Sequence, residues 1–390
     1  MKTDAKNYVI QVLDGVDGID ASTWNGLLDS QDAPTLFLRH EYLAALQSSH
    51  SAVPETGWTP AWLTITEADT LIAACALYVK VHSYGEFVFD WAWADAYQRH
   101  GLDYYPKLVG AVPFTPVPGT RLIARDDDAR ELLLQAVLAF ARQQDLSSAH
   151  LLFLSEADRA ACQRAGWMLR EGVQFHWQNR SPTPYTDFGE FLHSLQRDKR
   201  KKIAQERRRV ADAGVRYDLL EGTEIDSAAW DFFYRCYTLT YRAHHSTPYL
   251  TRRFFAEVAR TMPENWLMVV ARQGNEPIAA SLVALDPIRR VAYGRYWGAV
   301  KHVACLHFDA CYYQPLAWCI AQGYRCFEGG AQGEHKMARG LLPVKTCSAH
   351  WLADPRFASA VGDFLQREGA GVGAYVDELT DRNPFKAEPA

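Results

Sequence analysis

The sequence predicts an α/β protein made of two similarly organised halves, each built around a mixed β-sheet. In both halves a run of strands is followed by a long helix and then by a further strand. A helical connection of this kind joins parallel neighbours in a sheet. A Ser/Thr/Pro cluster at 181–184 separates the halves and is typical of a linker. We therefore predict domains at 1–180 and 181–390 that arose by duplication.

The first half begins with a strand and two helices, predicted at 8–13, 21–28 and 36–47. Strands rich in β-branched and aromatic residues follow, and they are predicted at 61–66, 71–81 and 108–113. The acidic triplet starting at Asp126 opens a helix, because carboxylates are favourable at a helix N-terminus. The half ends with a strand, a helix and a strand, predicted at 149–154, 156–165 and 169–178.

The second half begins with a predicted basic helix at 188–213, followed by a strand at 215–220 and by helices near 230–241 and 252–261. A meander of three strands comes next, predicted at 266–272, 277–285 and 291–297. The helix at 306–322 has Asp309 as its only formally charged residue and Pro315 in its interior, so we expect it to be buried and kinked. Strands at 325–328 and 345–351 follow, and Asp354-Pro355 precedes a terminal helix.

The composition is that of an ordinary globular protein, with 390 residues, 48% hydrophobic and 22% charged. Its eight cysteines form no Cys-x-x-Cys pair and no Cys/His set with zinc spacing, so we expect no metal. Scattered thiols fit a reducing cytoplasm. The sequence shows neither a signal peptide nor a membrane span. We therefore expect a cytoplasmic location.

Charge is concentrated on one predicted helix. Residues 197–209 contain eight Lys/Arg and two acidic side chains, a local charge of +6 in a chain whose net charge is −5. A solvated helix face is the usual explanation of such a run. The alternative is a contact with phosphate or RNA, for which the candidates are Lys199, Arg200, Lys201 and Lys202.

The segment from Glu328 to Gly340 concentrates ionisable side chains among four glycines. Acyl transfer to an amine needs a base and donors for the developing oxyanion. Glu334 and His335 are the candidate bases, with Glu328 as a third catalytic candidate. Lys336 and Arg339 are candidates for binding phosphate or an oxyanion. The alternative is an internal salt-bridge network that braces the loop.

Further substrate-binding candidates lie on neighbouring elements. Arg295 and Tyr296 are adjacent on one strand, so we expect them to face opposite sides, with Arg295 toward the substrate. Tyr312 lies on the buried helix, where core packing is the alternative role. Gln332 and His350 complete the set. The oligomeric state stays open.

Several motifs resemble one protein family across nearly the whole chain. They are Val88-Phe-Asp-Trp-Ala-Trp, Tyr104-Tyr-Pro-Lys, Val173-Gln-Phe-His-Trp, Gly294-Arg-Tyr-Trp-Gly-Ala, Gly330-Ala-Gln-Gly-Glu-His-Lys and Ser348-Ala-His-Trp. In these stretches the chain resembles the bacterial FemAB-like family of N-acyltransferases, of peptidoglycan-biosynthesis type.

The resemblance implies tandem GNAT-like (acyl-CoA N-acyltransferase) domains, with a degenerate first domain and the active site in the second. It also implies transfer from acyl-CoA or aminoacyl-tRNA, as a co-substrate and without a tightly bound cofactor, to a small-molecule, peptide or cell-wall-precursor amine. tRNA would then be a partner. A catalytically silent protein of the same fold, binding RNA, peptide or cell-wall precursor, is the alternative.

The sequence differs from that of GNAT enzymes at the position where they bind the acyl donor. GNAT enzymes hold the pyrophosphate of acetyl-CoA on a glycine-rich loop at a helix N-terminus. The corresponding stretch of the second half begins Ala299-Val-Lys-His and contains no such loop, and that of the first half ends in three aspartates at 126–128. A standard CoA site is therefore not expected in either half.

Overall fold

The computed structural model describes residues 8–330 and 333–386. Strands alternate with helices along the chain. The strands are β1 (Tyr8–Leu13), β2 (Trp58–Pro60), β3 (Trp62–Glu67), β4 (Thr70–Cys75), β5 (Leu77–Lys80), β6 (Lys107–Gly110), β7 (Ile123–Ala124), β8 (Ser148–Leu151), β9 (Met168–Gln178), β10 (Val215–Glu221), β11 (Trp266–Gln273), β12 (Glu276–Asp286), β13 (Val291–Ala299), β14 (Cys326–Glu328) and β15 (Leu342–Leu352).

The α-helices are α1 (Ala21–Asp29), α2 (His40–Ser48), α3 (Trp91–Arg99), α4 (Asp127–Gln143), α5 (Glu156–Arg164), α6 (Phe188–Ser194), α7 (Arg197–Asp212), α8 (Ser227–Ala243), α9 (Arg252–Thr261), α10 (Leu306–Phe308), α11 (Gln314–Ala321) and α12 (Pro355–Asp381). Helix α4 begins where the aspartates predicted it, because the Asp126 side chain accepts a hydrogen bond from the Ala129 N–H. No helix within the described ranges is both long and apolar enough to cross a bilayer.

The chain divides into two compact units, and the division differs from the predicted one. The first unit contains the residues up to Gly172 together with Lys345–Ala374, and the second contains Val173–Val344 together with the residues from Tyr375 onward. The segment 345–374 therefore belongs to the first unit, although the sequence placed it in the second domain. The reason is strand pairing, since Ala349–Leu352 of β15 pairs antiparallel with β8.

The first unit contains a four-stranded sheet with the order β1-β3-β4-β7 and a second sheet in which β15, β8, β6, β5 and β2 are neighbours. Strands β6 and β8 run parallel, as a helical crossover requires. The hydrophobic core includes Leu63, Leu133, Leu151 and Trp167, all almost fully buried. Helix α4 supplies Leu133 to this core.

In the second unit the strand order is β10-β11-β12-β13-β14-β9. The predicted parallel pairing of the third strand of the meander with the strand after the buried helix is confirmed, because β13 pairs parallel with β14. The buried residues Trp177, Phe191, Leu316 and Phe327 belong to the core.

The register of the strands reveals the duplicated plan. In the first unit β8 pairs antiparallel with β15 and places His150 opposite His350. In the second unit β14 pairs antiparallel with β9 and places Glu328 opposite His176. A His-Trp dipeptide thus occupies the same strand position in both units, as His176-Trp177 and His350-Trp351. The mixed α/β fold with two similarly built domains is confirmed.

Two predicted helices are interrupted. The basic helix predicted at 188–213 is broken between α6 and α7, where the Gln196 N–H donates to the Pro384 carbonyl at 2.8 Å. The helix predicted at 306–322 contains a π-helical segment, Asp309–Tyr313, directly before Pro315. Because proline has no N–H to donate, the wider turn accommodates the lost hydrogen bond. The glycine-rich loop contains a short 3₁₀ helix, Glu334–Arg339.

Candidate active site

The second unit has a fork between its two parallel strands. Pairing between β13 and β14 ends at Tyr293 and Glu328, although β13 continues to Ala299. Beyond the fork the Gly329 N–H donates to the Phe175 carbonyl on β9 at 3.1 Å, which draws the chain away from β13. The gap forms a cavity of about 110 Å³. Its lining consists of Ser281, Leu282, Val283, Gly294, Arg295, Tyr296, Trp297, His307, Cys311, Tyr312, Phe327 and Gly329.

Glu328 lies at the fork and is the most perturbed of the predicted catalytic residues. Its side chain is 13% exposed, and its Oε2 has no hydrogen-bond partner among the described residues. Burial raises the pKa of Glu328 to about 8, against the opposing effect of the Arg295 charge. A carboxyl group with such a pKa exchanges a proton near neutral pH, which suits a general base.

His176 lies beside this carboxyl group, with its Nε2 3.8 Å from Glu328 Oε2. Burial lowers the pKa of His176 to about 4, with a further contribution from Lys336. The ring is therefore neutral and offers Glu328 no ion pair at neutral pH. The ligand atoms of His176, Cys326 and Glu328 lie within 4.8 Å of one another, a spacing that could hold a metal ion, although the sequence led us to expect none.

Arg295 and Tyr296 both line the cavity, which corrects the expectation that they face opposite sides. The reason is a β-bulge: Leu282 pairs with Tyr296 and Val283 with Gly294, so Arg295 is an extra residue in β13. A bulge interrupts the strict alternation of side chains along a strand. Arg295 Nη2 donates to the Tyr296 hydroxyl at 3.1 Å.

Tyr312 lines the cavity and contacts His335. Tyr312 lies on the π-helical segment, and its hydroxyl is 3.3 Å from His335 Nε2. Burial lowers the pKa of His335, and the charges of Arg339 and Lys336 lower it further. The imidazole is therefore neutral at physiological pH and able to accept a proton.

Lys336 is buried beneath the glycine segment. Its Nζ donates to the Gly330 carbonyl at 3.0 Å, and burial lowers its pKa to about 8. A Cβ at Gly329 would lie 2.6 Å from Leu341 Cδ2 and 3.1 Å from both Lys336 Cδ and the Phe175 carbonyl oxygen. A larger residue at this position would therefore require Leu341 to move.

The residues that line the cavity include neither Glu334 nor Arg339. Glu334 is exposed and accepts a hydrogen bond from the Tyr375 hydroxyl at 2.7 Å. The Arg339 side chain is 3% exposed and forms an ion pair with Glu206 of α7 at 3.1 Å, and its Nη1 donates to the His335 carbonyl at 2.6 Å. These contacts connect the loop to Glu206 of α7 and to Tyr375 of α12.

The remaining predicted residues lie elsewhere. His350 belongs to the first unit, where its Nδ1 is 2.8 Å from His150 Nδ1. Gln332 lies outside the described residues. Lys199, Arg200, Lys201 and Lys202 all lie on α7 and are partly or fully exposed. Helix α7 turns Ile203, Glu206 and Val210 inward.

Sequence reasoning missed two features. His307 lines the cavity between the rings of Trp297 and Tyr312, at centroid distances of 5.5 and 5.8 Å, and burial lowers its pKa to about 4. In the first unit, a buried polar cluster contains Lys107, His150 and further groups. The repeated His-Trp dipeptide was a signal for that cluster.

One protein-family model matches nearly the whole chain. The profile described as peptidoglycan biosynthesis/recognition, FemAB-like, matches residues 15–387. The chain belongs to the FemAB-like family. No curated protein sequence matches it significantly.

Three solved structures share the fold of this FemAB-like protein. L-PGS from Bacillus licheniformis is similar with a TM-score of 0.55 and 11% identity, covering 89% of this chain and 97% of that one. FemX gives a TM-score of 0.54 and 9% identity, with 88% and 98% covered. A conserved protein of unknown function from Bacteroides thetaiotaomicron gives 0.54 and 9%, with 87% and 99% covered. The tandem GNAT-like fold expected from the sequence is thus confirmed.

Proposed function

We propose that this FemAB-like protein is an acyltransferase that moves an acyl or aminoacyl group to an amine, and that the transfer takes place at the fork of the second unit. The observation that carries the proposal is Glu328, a carboxyl group buried at the point where β13 and β14 separate, with its pKa raised to about 8. GNAT-type folds open their sheet at such a fork. A buried group with a perturbed pKa in a cleft is a candidate for catalysis.

The acceptor amine must lose a proton when it attacks the donor carbonyl. In the proposed mechanism Glu328, in its ionised form, takes that proton from the attacking nitrogen. The Glu328 side chain lines a separate cavity of about 640 Å³, and the Arg295 charge acts on it. Arg295 lines the cavity at the fork and supplies a fixed positive charge for the oxyanion that develops on the carbonyl. The Tyr312 hydroxyl is the proton donor for the leaving group, and neutral His335, at 3.3 Å, can exchange a proton with it.

We propose aminoacyl-tRNA as the donor in preference to acyl-CoA. After β13 the chain reaches a helix of only three residues, α10, through Cys305 with φ of +68°, and the stretch is not glycine-rich. This helix N-terminus does not form a glycine-rich loop whose backbone N–H groups could bind a pyrophosphate. The exposed basic face of α7, around Lys199–Lys202, offers a surface for the phosphates of an RNA donor. The acceptor we propose is a peptide or cell-wall-precursor amine.

The experiment compares two matched carboxamide variants, Glu328→Gln and Glu334→Gln. Transfer of a labelled group from charged tRNA and from acetyl-CoA to a peptide amine is measured for each purified protein. A positioned base typically contributes about 10²- to 10⁴-fold in rate, so Glu328→Gln should lose at least about 100-fold. Glu334→Gln, whose side chain binds Tyr375, should retain activity. Equal activity in both variants would remove Glu328 from the mechanism.

A second candidate is a catalytically silent binding protein. The observation in its favour is the size of the cavity, about 110 Å³, whereas ligand pockets usually measure about 300–1,000 Å³. A silent protein would bind charged tRNA or a cell-wall precursor without turnover. Glu328→Gln would then leave affinity unchanged, and no donor would support transfer by the parent protein.

A further inference from the structure

Three side chains of metal-ligand type meet beside the larger cavity of the second unit. This cavity measures about 640 Å³, and Cys326 and Glu328 are among the residues that line it. The two residues are separated by one position on β14, so their side chains project from the same face of the sheet. Antiparallel pairing with β9 places His176 directly opposite Glu328, on that face as well. A thiol, a carboxyl group and an imidazole are therefore neighbours.

The three ligand atoms are close enough to bind one ion. The imidazole nitrogen, the thiol sulfur and the carboxyl oxygen all lie within 4.8 Å of one another. Atoms at such distances share a central point about 2.8 Å or less from each, whereas bonds to Zn²⁺ measure about 2.0–2.3 Å. The side chains would have to converge by at most about 0.8 Å. Rotation about side-chain bonds is sufficient for a movement of this size.

The carboxyl oxygen of this group is available for a ligand. Glu328 Oε2 is buried and has no hydrogen-bond partner among the described residues. It lies 3.8 Å from His176 Nε2, which is too far for a hydrogen bond. An unpaired buried oxygen is costly, and an ion between the two atoms would bind both of them. His176 Nε2 is also 3.1 Å from Gln174 Oε1, and the ion would replace that contact.

Charge and ligand type determine which ion fits. A thiolate, a carboxylate and a neutral imidazole carry a total charge of −2, which a divalent cation cancels in this buried place. Mixed sulfur, nitrogen and oxygen ligands suit Zn²⁺, whereas Mg²⁺ and Ca²⁺ require oxygen ligands. The charge of Arg295 acts on Glu328, and that of Lys336 acts on His176. Both oppose any cation, so the affinity must come from the thiolate of Cys326.

We propose that His176, Cys326 and Glu328 form a binding site for Zn²⁺, and that the bound ion inhibits the transfer centre by occupying its base. The inhibition rests on the proposed function, because a carboxylate bound to Zn²⁺ cannot accept the proton of the attacking amine. Binding releases the protons of Cys326 and Glu328 to solvent, and the ion enters through the cavity that both residues line. The sequence shows no zinc spacing because strand pairing brings His176 to β14.

The first test measures metal binding without an assay of transfer. The full-length protein is freed of metal with a chelator, and Co²⁺ is added as a spectroscopic substitute for Zn²⁺. A thiolate bound to Co²⁺ gives a sulfur-to-metal charge-transfer band in the near ultraviolet. We expect this band to saturate at one ion per chain and to disappear when Zn²⁺ displaces Co²⁺. A parent protein without the band would overturn the proposal.

Matched variants assign the band to its ligands. Cys326→Ser should abolish it, whereas Cys347→Ser, which removes another half-buried thiol, should retain it. Glu328→Gln keeps the thiol but removes the carboxylate ligand, so it should weaken Zn²⁺ binding at least about tenfold. An unchanged band in Cys326→Ser would refute the site. If that variant does not fold, unchanged Zn²⁺ affinity in Glu328→Gln would refute it instead.

The second test measures inhibition of transfer. In the parent protein, Zn²⁺ at a concentration that saturates the site should stop transfer, and excess chelator should restore it. Cys326→Ser should need at least about ten times more Zn²⁺ for the same inhibition. Equal sensitivity of the two proteins would refute inhibition through this site. A metal-free parent that transfers nothing would refute the proposed function and the inhibition with it, whereas the Co²⁺ band decides the metal site by itself.

Discussion

Replacing Glu328 with glutamine should make the protein more stable at neutral pH. Glutamine has nearly the same shape as the protonated acid, but it cannot ionise. In the parent protein burial favours the protonated form, so the folded state binds a proton more tightly than the unfolded chain does. Stability is therefore complete below the unfolded pKa and is lost as the pH rises through the folded pKa.

The size of the effect follows from the two pKa values. The pKa of Glu328 is raised from 4.5 to about 8. Each pH unit between these values costs about 1.4 kcal/mol of folding free energy. At pH 7 the parent protein is therefore about 3 kcal/mol less stable than a variant whose residue 328 does not ionise. The advantage of Glu328→Gln should grow from near zero at pH 4.5 to about 3 kcal/mol at pH 7 and should level off above pH 8.

Urea denaturation of parent and variant at pH 5, 6, 7 and 8 measures this difference directly. Glu334→Gln is the matched control, because Glu334 is exposed and its ion pair with Arg382 at 3.4 Å lies at the surface. Its effect on stability should stay within about 1 kcal/mol at every pH. A free-energy difference for Glu328→Gln that does not change between pH 5 and pH 8 would refute the argument from burial.

Three further predictions concern the second unit. Arg339→Ala should lower the free energy of unfolding by about 3–5 kcal/mol in urea melts, because it leaves the buried Glu206 carboxylate without its ion-pair partner; a loss below about 1 kcal/mol would contradict this. Changing the four basic residues at 199–202 together to glutamine should weaken tRNA binding and reduce the slope of log K against log salt, by up to about four if each contacts a phosphate. An unchanged slope would make the helix a solvated face. The kcat/KM for transfer should rise with pH and level off above about 8 as Glu328 ionises, and a pH-independent rate would argue against this base.

The topology of the second unit could be predicted because local signals determine it. A helical crossover between strands implies parallel neighbours, and β13 and β14 are parallel. Pro315 predicted a disturbance in the buried helix, and the π-helical segment precedes it. The form of that disturbance depends on packing rather than on the proline alone, which is why a kink was expected and a widened turn was found.

The composition of the site could be predicted only in part, because contacts distant in sequence determine it. Glu334 does not line the cavity and accepts a hydrogen bond from Tyr375, which lies 41 residues further along the chain. His350 joins the first unit because β15 pairs with β8, 200 residues away in sequence. The bulge at Arg295 depends on the register of β12 against β13. None of these partners can be recognised from the glycine-rich segment itself.

Ionisation of Glu328 lowers the stability of this protein and is required for its proposed activity. A solvent-exposed carboxylate at the fork would not destabilise the folded protein, but it would be a weak base because its pKa would be the ordinary one. Burial beside neutral His176 makes Glu328 a stronger base, and it does so by making the ionised form unfavourable in the folded protein. If the proposed role is correct, the pH range in which transfer rises must be the range in which stability falls, and Glu328→Gln must abolish both trends together. A variant that loses only one of the two trends would show that the catalytic base is not the buried carboxyl group of Glu328.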